Sequence, residues 1–368
     1  MRADAGCGFN NREISNCPGR QGCRLRSMRN TPLHDPAADP FQERSPLPWR
    51  KTQRLLGGRF DFESNSRALL ALVDQAFAEL PRHPRLWRDA APFRISLRLA
   101  DREAAHRPAK SPSPPLLRTV AGPGGLICGI MDAANFAVVS PRERTGLVMV
   151  SPDMLHYPYQ VRYELIEFAV FVLASRAQGL VPLHAACVGR SGRGLLLIGS
   201  SGAGKSTLAL HCLMLGMNLL AEDSVFVHPE RMLATGISNF LHLRRDSLPF
   251  VDDKSVVARI RKSPMIRRRS GVEKYEVDVR GLGGRVAASA LRIEGIVFLS
   301  TRSRGRGAAL VPLPRRTLLR RLTAAQPYPA QLPSWKIFVK HLSAVRAFEL
   351  RRGQHPTEAA VALRLMLD

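Results

Sequence analysis

Two periods of apolar residues divide this chain. In its first third they mostly alternate. FRISLRLA, at 93–100, sets Phe93, Ile95, Leu97 and Leu99 on one face, the pattern of a half-buried strand. GGRFDFES, at 57–64, reads the same way, and LICGIM, FAVVS and GLVMVS are three further short strands. Between them, Ser66 to Leu80 places Leu69, Leu70, Leu72, Val73, Phe77 and Leu80 on one side of a helix. Residues 53–153 are therefore expected to form a small, strand-dominated α+β domain.

Beyond residue 153 the apolar residues run together. Tyr159–Gln178 reads as a buried helix. PLHAACVGRSGRGLLLIGSSGAGKSTLALHCLMLGMNLLAEDSVFV then reads strand, turn, strand, loop, helix, strand, which is how an α/β domain begins. LRIEGIVFLST is a strongly buried strand. The C-terminal part predicts a helix in SWKIFVKHLSAV, a strand in AFELRRG and a last helix in PTEAAVALRLMLD. Pro356 opens that last helix, where its missing N–H costs nothing. Residues 229–274 are basic, show neither period, and read as an insertion with a mobile Arg-rich loop. Residues 1–52 show neither period either, and predict a disordered tail.

Composition narrows the class. The chain has 368 residues, 45% of them hydrophobic, enough for two or three domains with ordinary cores. No apolar run approaches the ~20 residues that span a bilayer. The first twenty residues lack the apolar block of a signal peptide, so the cytosol is the expected address and no membrane partner is expected. Lys plus Arg number 55 against 30 acidic residues, a net charge of +25. The excess gathers at Arg259–Arg269, Arg302–Arg306 and Arg315–Arg321. None of these clusters has interleaved aromatics or a nucleic-acid-binding motif, which argues against nucleic acid as partner. The six cysteines show no metal-pair spacing and suit a reduced compartment.

One motif carries definite chemistry. Gly199-Ser200-Ser201-Gly202-Ala203-Gly204-Lys205-Ser206 fits G-x-x-x-x-G-K-S, with the apolar strand LLLI before it and the helix STLALHCLML after it. The glycines let backbone N–H groups turn inward toward phosphate oxygens. The helix adds the positive end of its dipole. Lys205 is placed to reach the β- and γ-phosphates of ATP, the Ser206 hydroxyl to ligate Mg2+, and Thr207 extends the nucleotide contact. Past the helix, Glu222 and Asp223 end the strand LLAEDSV, where an α/β sheet binds its ligands. A carboxylate there suits either magnesium or the proton of an attacking hydroxyl. His184, Asp278 and Arg280 are ambiguous taken singly.

Taken together, these residues resemble the catalytic domain of the HPr kinase/phosphorylase family, closest to its HPr-kinase-related kinases. His184 lies fifteen residues before Gly199, as in that family. Gly216-Met-Asn-Leu-Leu-Ala-Glu222-Asp223 stands for its G-H-x-L-x-A-D-D segment, with Glu222 replacing the first aspartate. Asp278-Val-Arg280-Gly281-Leu-Gly283 stands for its E-x-R-G-x-G signature, with Asp278 replacing the glutamate. The resemblance implies an α/β kinase domain of HPr-kinase type, a mixed sheet flanked by helices, over 154–368. It implies that Asp223 accepts the proton of a target hydroxyl, with His184, Lys205 and Arg280 assisting. It also implies that Ser206, Asp278 and Glu222 hold Mg2+ and that residues 199–207 hold ATP. The implied activity is transfer of a γ-phosphate to a Ser or Thr hydroxyl of a protein or peptide, HPr-like or a peptide-modification partner. The resemblance also allows a homo-oligomer. A regulatory ATPase without an acceptor, and a kinase of small molecules or peptide products, stay open. The basic 229–274 stretch is a candidate dock for an acidic target.

Overall fold

The computed structural model describes residues 47–81, 91–100, 114–282, 285–305 and 309–368. The tail reading for 1–46 and Gly283 of the signature lie outside them. The chain is mixed α/β, with sheets flanked by helices. Residues 46–368 group as one compact unit.

The first sheet has seven strands: β1 (Trp49–Leu55), β2 (Gly58–Ser64), β3 (Phe93–Leu99), β4 (Arg118–Ala121), β5 (Ile127–Ile130), β6 (Phe136–Ser140) and β7 (Thr145–Val150), in the order β1-β2-β3-β7-β6-β5-β4. The alternation seen in the sequence is the alternation of burial: Phe93, Ile95 and Leu97 are inside, Arg94 outside. β1 begins at Trp49, within the stretch read as tail, and pairs residue for residue with β2. Leu56 and Gly57 join the two strands, both at positive φ, the backbone of a two-residue hairpin turn. Helix α1 (Arg67–Phe77) covers the sheet with Leu69, Leu72, Val73 and Phe77.

A continuous helical segment follows: α2 (Pro158–Gln160), a π-helical turn at Val161–Ile166, and α3 (Glu167–Ala177). Val170, Leu173 and Ala174 of α3 share a core with the first sheet, and Phe226 of the next module joins it.

That module is a ten-stranded mixed sheet. Its first strands are β8 (Val181–His184), β9 (Ala186–Arg190) and β10 (Arg193–Ile198). Ser191 and Gly192, both at positive φ, turn β9 into β10. β10 is buried on both faces. Leu196 and Ile198 enter one core, Leu195 and Leu197 the other, so its sequence is continuously apolar rather than alternating. The phosphate loop leads to α4 (Lys205–Met214), then β11 (Asn218–Ala221), β12 (Ser224–His228) and β13 (Leu233–Gly236).

The basic 229–274 stretch, which shows neither period in the sequence, carries regular elements throughout its length. Besides β13 it holds β14 (Phe240–Leu243), a 3-10 turn at Arg245–Phe250, α5 (Lys254–Lys262), β15 (Met265–Arg267) and the start of β16 (Glu273–Asp278). β14, β16 and β15 form a small sheet of their own. These short segments hide their period: β15 is three residues long, and α5 buries only Ile260. The remaining elements are β17 (Arg285–Val286), β18 (Leu291–Ser303), β19 (Leu310–Pro312), α6 (Arg315–Ala325), α7 (Pro333–His341), β20 (Arg346–Arg352) and α8 (Pro356–Leu365). α6, unread in the sequence, is one of the Arg clusters; Leu318 and Leu322 anchor it. β10, β18 and β20 run parallel, so their C-terminal ends share one rim with the phosphate loop. No helix among the described residues is long and apolar enough to cross a membrane.

Candidate active site

The loop after β10 has the backbone its glycines allow. Gly202 and Gly204 sit at φ +83° and +95°, conformations that side chains with a Cβ rarely adopt. Gly199 packs so closely that a Cβ there would lie 2.9 Å from that of Ala203. Gly204 caps α4, and no side chain caps that N-terminus. The first-turn amides and the helix dipole therefore face outward, an arrangement suited to an anion.

Ten of the sequence-predicted residues meet at this loop. Ser200, Ser201, Lys205, Ser206, Glu222 and Asp223 line one cavity of about 590 Å³, with His184, Gly202, Gly204 and Thr207 in the same wall. Lys205 Nζ donates to the carbonyls of Gly199 (2.7 Å) and Ser200 (3.4 Å) and lies 3.4 Å from His184 Nε2. Burial lowers its pKa. The other ring nitrogen of His184, Nδ1, is 3.1 Å from Asp223 Oδ1. Buried Gln326 holds the backbone of His184 in place, accepting from its N–H (2.9 Å) and donating to its carbonyl (3.1 Å). Lys205, His184 and Asp223 thus form one chain of contacts across the cavity.

Ser206 Oγ donates to Glu222, which is buried. Burial opposes ionisation of Glu222, but the charge and hydrogen bond of His242, with the Ser206 bond, hold its pKa at about 2. His242 Nδ1 is 3.0 Å from the Glu222 carboxylate, and its Nε2 is 3.4 Å from Glu276. Glu276 pairs with Arg162, and Arg162 Nη1 donates to Glu167 at 3.2 Å. A ladder of buried charge therefore runs from the phosphate loop to α3. The π-helical turn makes its far end possible. Arg162 and Glu167 are five residues apart, a spacing an ordinary α-helix does not bring together.

Sequence reasoning missed this ladder and two further residues of the cavity, Tyr163 and Lys274; Arg268, read there as part of a dock for an acidic target, also lines it. Tyr163 donates to Asp223 Oδ2 at 3.4 Å. Burial first, and the Asp223 charge next, push its phenol pKa upward, so it stays a donor. The Arg268 guanidinium stacks 5.1 Å from the Tyr163 ring and lies 3.8 Å from Asp223. One signal was present in β16: Tyr275 and Val277 are apolar and face the core, which turns Lys274, Glu276 and Asp278 to the other side.

Asp278 and Arg280 do not line the cavity. Their side chains pair at 2.8 Å, and Arg280 also donates to the carbonyls of Ala78 (2.5 Å) and Gln75 (3.3 Å) at the end of α1. Asp278, expected to hold Mg2+, is thus paired with its own signature arginine and does not share the cavity lined by Ser206 and Glu222. Arg269, part of the expected acidic dock, is likewise engaged: it grips Glu164 and the carbonyls of Pro114 and Pro115.

Ser206 and Glu222 offer a hydroxyl and an ionised carboxylate, both hard oxygen donors. That is the partial ligand set Mg2+ takes when phosphate oxygens and water complete its shell. Among the described residues, no three His, Cys, Asp or Glu side chains gather into a metal site of their own.

A second cavity, of about 470 Å³, lies on the other side of the loop and shares Gly202, Gly204 and Thr207 with the first. It opens at the C-terminal ends of β18 and β20, with Phe250, Leu299, Leu350 and His355 in its wall. Such crevices beyond parallel strand ends are where open α/β sheets bind ligands.

No family model matches the sequence, and no curated protein matches it. Among solved structures, the chain is similar to the Hpr(Ser) kinase/phosphatase from Coxiella burnetii. The match is 12% identical, covers 50% of this chain and 94% of that chain, and has a TM-score of 0.26. At that level of similarity the functional reading rests on the site itself.

Proposed function

We propose that this protein is a phosphotransferase that moves the γ-phosphate of ATP to the hydroxyl of a protein or peptide. The observation that carries the reading is the convergence of the phosphate loop, Lys205 and Ser206 with the His184–Asp223 pair in one cavity. A carboxylate facing the phosphate loop can hold magnesium or take a proton, and the pairing of Asp223 with His184, beside a Glu222 that already bonds Ser206, favours the second role for Asp223. A kinase needs such a group to take the proton of its acceptor.

In this reading the triphosphate lies along the loop amides and the α4 N-terminus, with the nucleoside in the cavity walled by Phe250 and His355. Lys205 leaves the loop carbonyls for the β- and γ-phosphates. Arg244, Arg268 and Lys274, all in the cavity wall, offset the charge on the transferring group. Ser206 and Glu222 would hold magnesium, which neutralises charge on the terminal phosphates. Asp223 accepts the proton of the hydroxyl as its oxygen bonds to the γ-phosphorus and the bond to the β–γ bridging oxygen breaks. ADP leaves, and the acceptor becomes a phosphate ester. His184, 3.1 Å from Asp223, and Tyr163 fix the orientation of that carboxylate.

The test is a pair of variants. Lys205→Ala should abolish magnesium-dependent ATP binding in calorimetry. Asp223→Asn should keep ATP binding but lower phosphate transfer by roughly 10²–10⁴-fold, the usual weight of a general base. Unimpaired transfer in Asp223→Asn would remove the proposed base.

A further inference from the structure

A third and larger cavity, of about 910 Å³, meets the phosphate cavity at Asp223 and differs from it in kind. Its walls are chiefly apolar. Leu117, just before β4, with Thr119 and Ala121 of β4, forms one side, and Phe168, Phe171 and Val172 of α3 form another. Phe226 of β12 floors it, with its ring 5.1 Å from that of Phe171. Tyr328, between Pro327 and Pro329 after α6, closes the outer end and is 48% exposed. At the inner end stand Tyr163, Glu164, His184 and Asp223, which also line the phosphate cavity. The carboxylate proposed to take the acceptor's proton is thus the door between a charged chamber and an apolar one.

We infer that the apolar cleft is the acceptor site, and that the acceptor is a Ser or Thr in a short apolar or aromatic stretch of polypeptide. The inference rests on the kinase reading above. Asp223 lines both the cleft and the phosphate cavity, so a hydroxyl presented from the cleft reaches the carboxylate proposed to take its proton. Burying even one aromatic residue of the ligand against Phe168, Phe171 and Tyr328 supplies substantial binding energy. The polypeptide form follows from β4. It ends the first sheet among the described residues, and all four of its residues are exposed. An extended chain can pair with that edge while alternate side chains enter the cleft. Arg269 braces the lip by holding Pro114 and Pro115, just before β4, against Glu164. Arg268 and Arg269, two of the arginines read as a dock for acidic targets, are engaged within the site, and the cleft beside Asp223 is chiefly apolar.

The test uses the full chain, labelled ATP, and a peptide library with one fixed Ser or Thr and every flanking position varied. ATP binding is measured separately by calorimetry. The expected result is selection for Phe, Leu, Ile or Tyr beside the fixed hydroxyl. Two variants locate that preference: Thr119→Trp fills the cleft, and Tyr328→Lys puts a charge at its mouth. Each should raise the KM for the best peptide by about tenfold or more, as expected from losing one buried aromatic contact, with ATP affinity and melting temperature unchanged. Either variant alone suffices if the other fails to fold. Selection for Asp or Glu, absence of any selection, label appearing only on the chain itself, or unchanged peptide KM in the folded variants overturns the inference while ATP binding keeps the kinase reading intact. Loss of magnesium-dependent ATP binding in the wild type overturns both.

Discussion

At the scale of single residues, the buried ladder from Ser206 to Glu167 sets the sharpest expectations. Arg162 is 1% exposed and stands between two carboxylates. Arg162→Met keeps most of its volume but leaves Glu276 and Glu167 buried without their cation. It should cost ~3–5 kcal/mol and lower the melting temperature accordingly. Glu167 gives the ladder a pH dependence. Burial raises its pKa to about 7, although Arg162 pulls the other way. Between its unfolded value near ~4.3 and about 7, the folded protein holds a proton that the unfolded chain has released. Stability therefore falls as pH rises through that window, and levels off above it. Glu167→Gln should remove this slope, so melting curves of wild type and variant should diverge between pH 5 and 8. Parallel curves would show that Glu167 ionises normally. None of this was legible in the sequence. The partners lie 114 residues apart in the Arg162–Glu276 pair, and nothing local in either segment announces the other. The phosphate loop was legible because its whole geometry lies within eight consecutive residues whose glycines have few other uses.

At the scale of elements, legibility followed period and length. β3, α1 and β10 are long enough to display their pattern, and the structure places them as read. The 229–274 stretch was hard to assign because its elements are short and bury few residues: β15 is three residues long, and α5 buries Ile260 alone. Arg268 is stacked on Tyr163 and turned toward Asp223. The signature segment shows a subtler limit. Asp278 ends β16 as expected, but which face of the strand meets the phosphate loop depends on the turn of the small sheet, and Arg280 claims the carboxylate first. A consequence follows for assays. Asp278→Ala should leave the magnesium dependence of ATP binding unchanged, whereas Glu222→Ala should weaken it. Calorimetry at several magnesium concentrations separates the two, and equal losses would place Asp278 back at the metal.

At the scale of the whole molecule, the first sheet is no loose appendage. α3 buries Val170, Leu173 and Ala174 against it, and Phe226 of β12 joins the same core. Asn239 and Arg280 add hydrogen bonds to the carbonyls at the end of α1. A fragment of residues 154–368 would expose that apolar face, so it should be insoluble or molten, as judged by circular dichroism and dye binding. The cleft read as the acceptor site also needs both parts, since β4 supplies one wall and Phe226 of β12 the floor. β10 carries one further implication. It is wedged between two packed layers, with Leu196 and Ile198 pressed into one and Leu195 and Leu197 into the other, and the nucleotide grip hangs from its end. Neither layer can loosen without letting go of that grip. Catalytic competence and compactness should therefore fail together on heating, at one temperature, with no warm interval in which a folded protein has already gone silent.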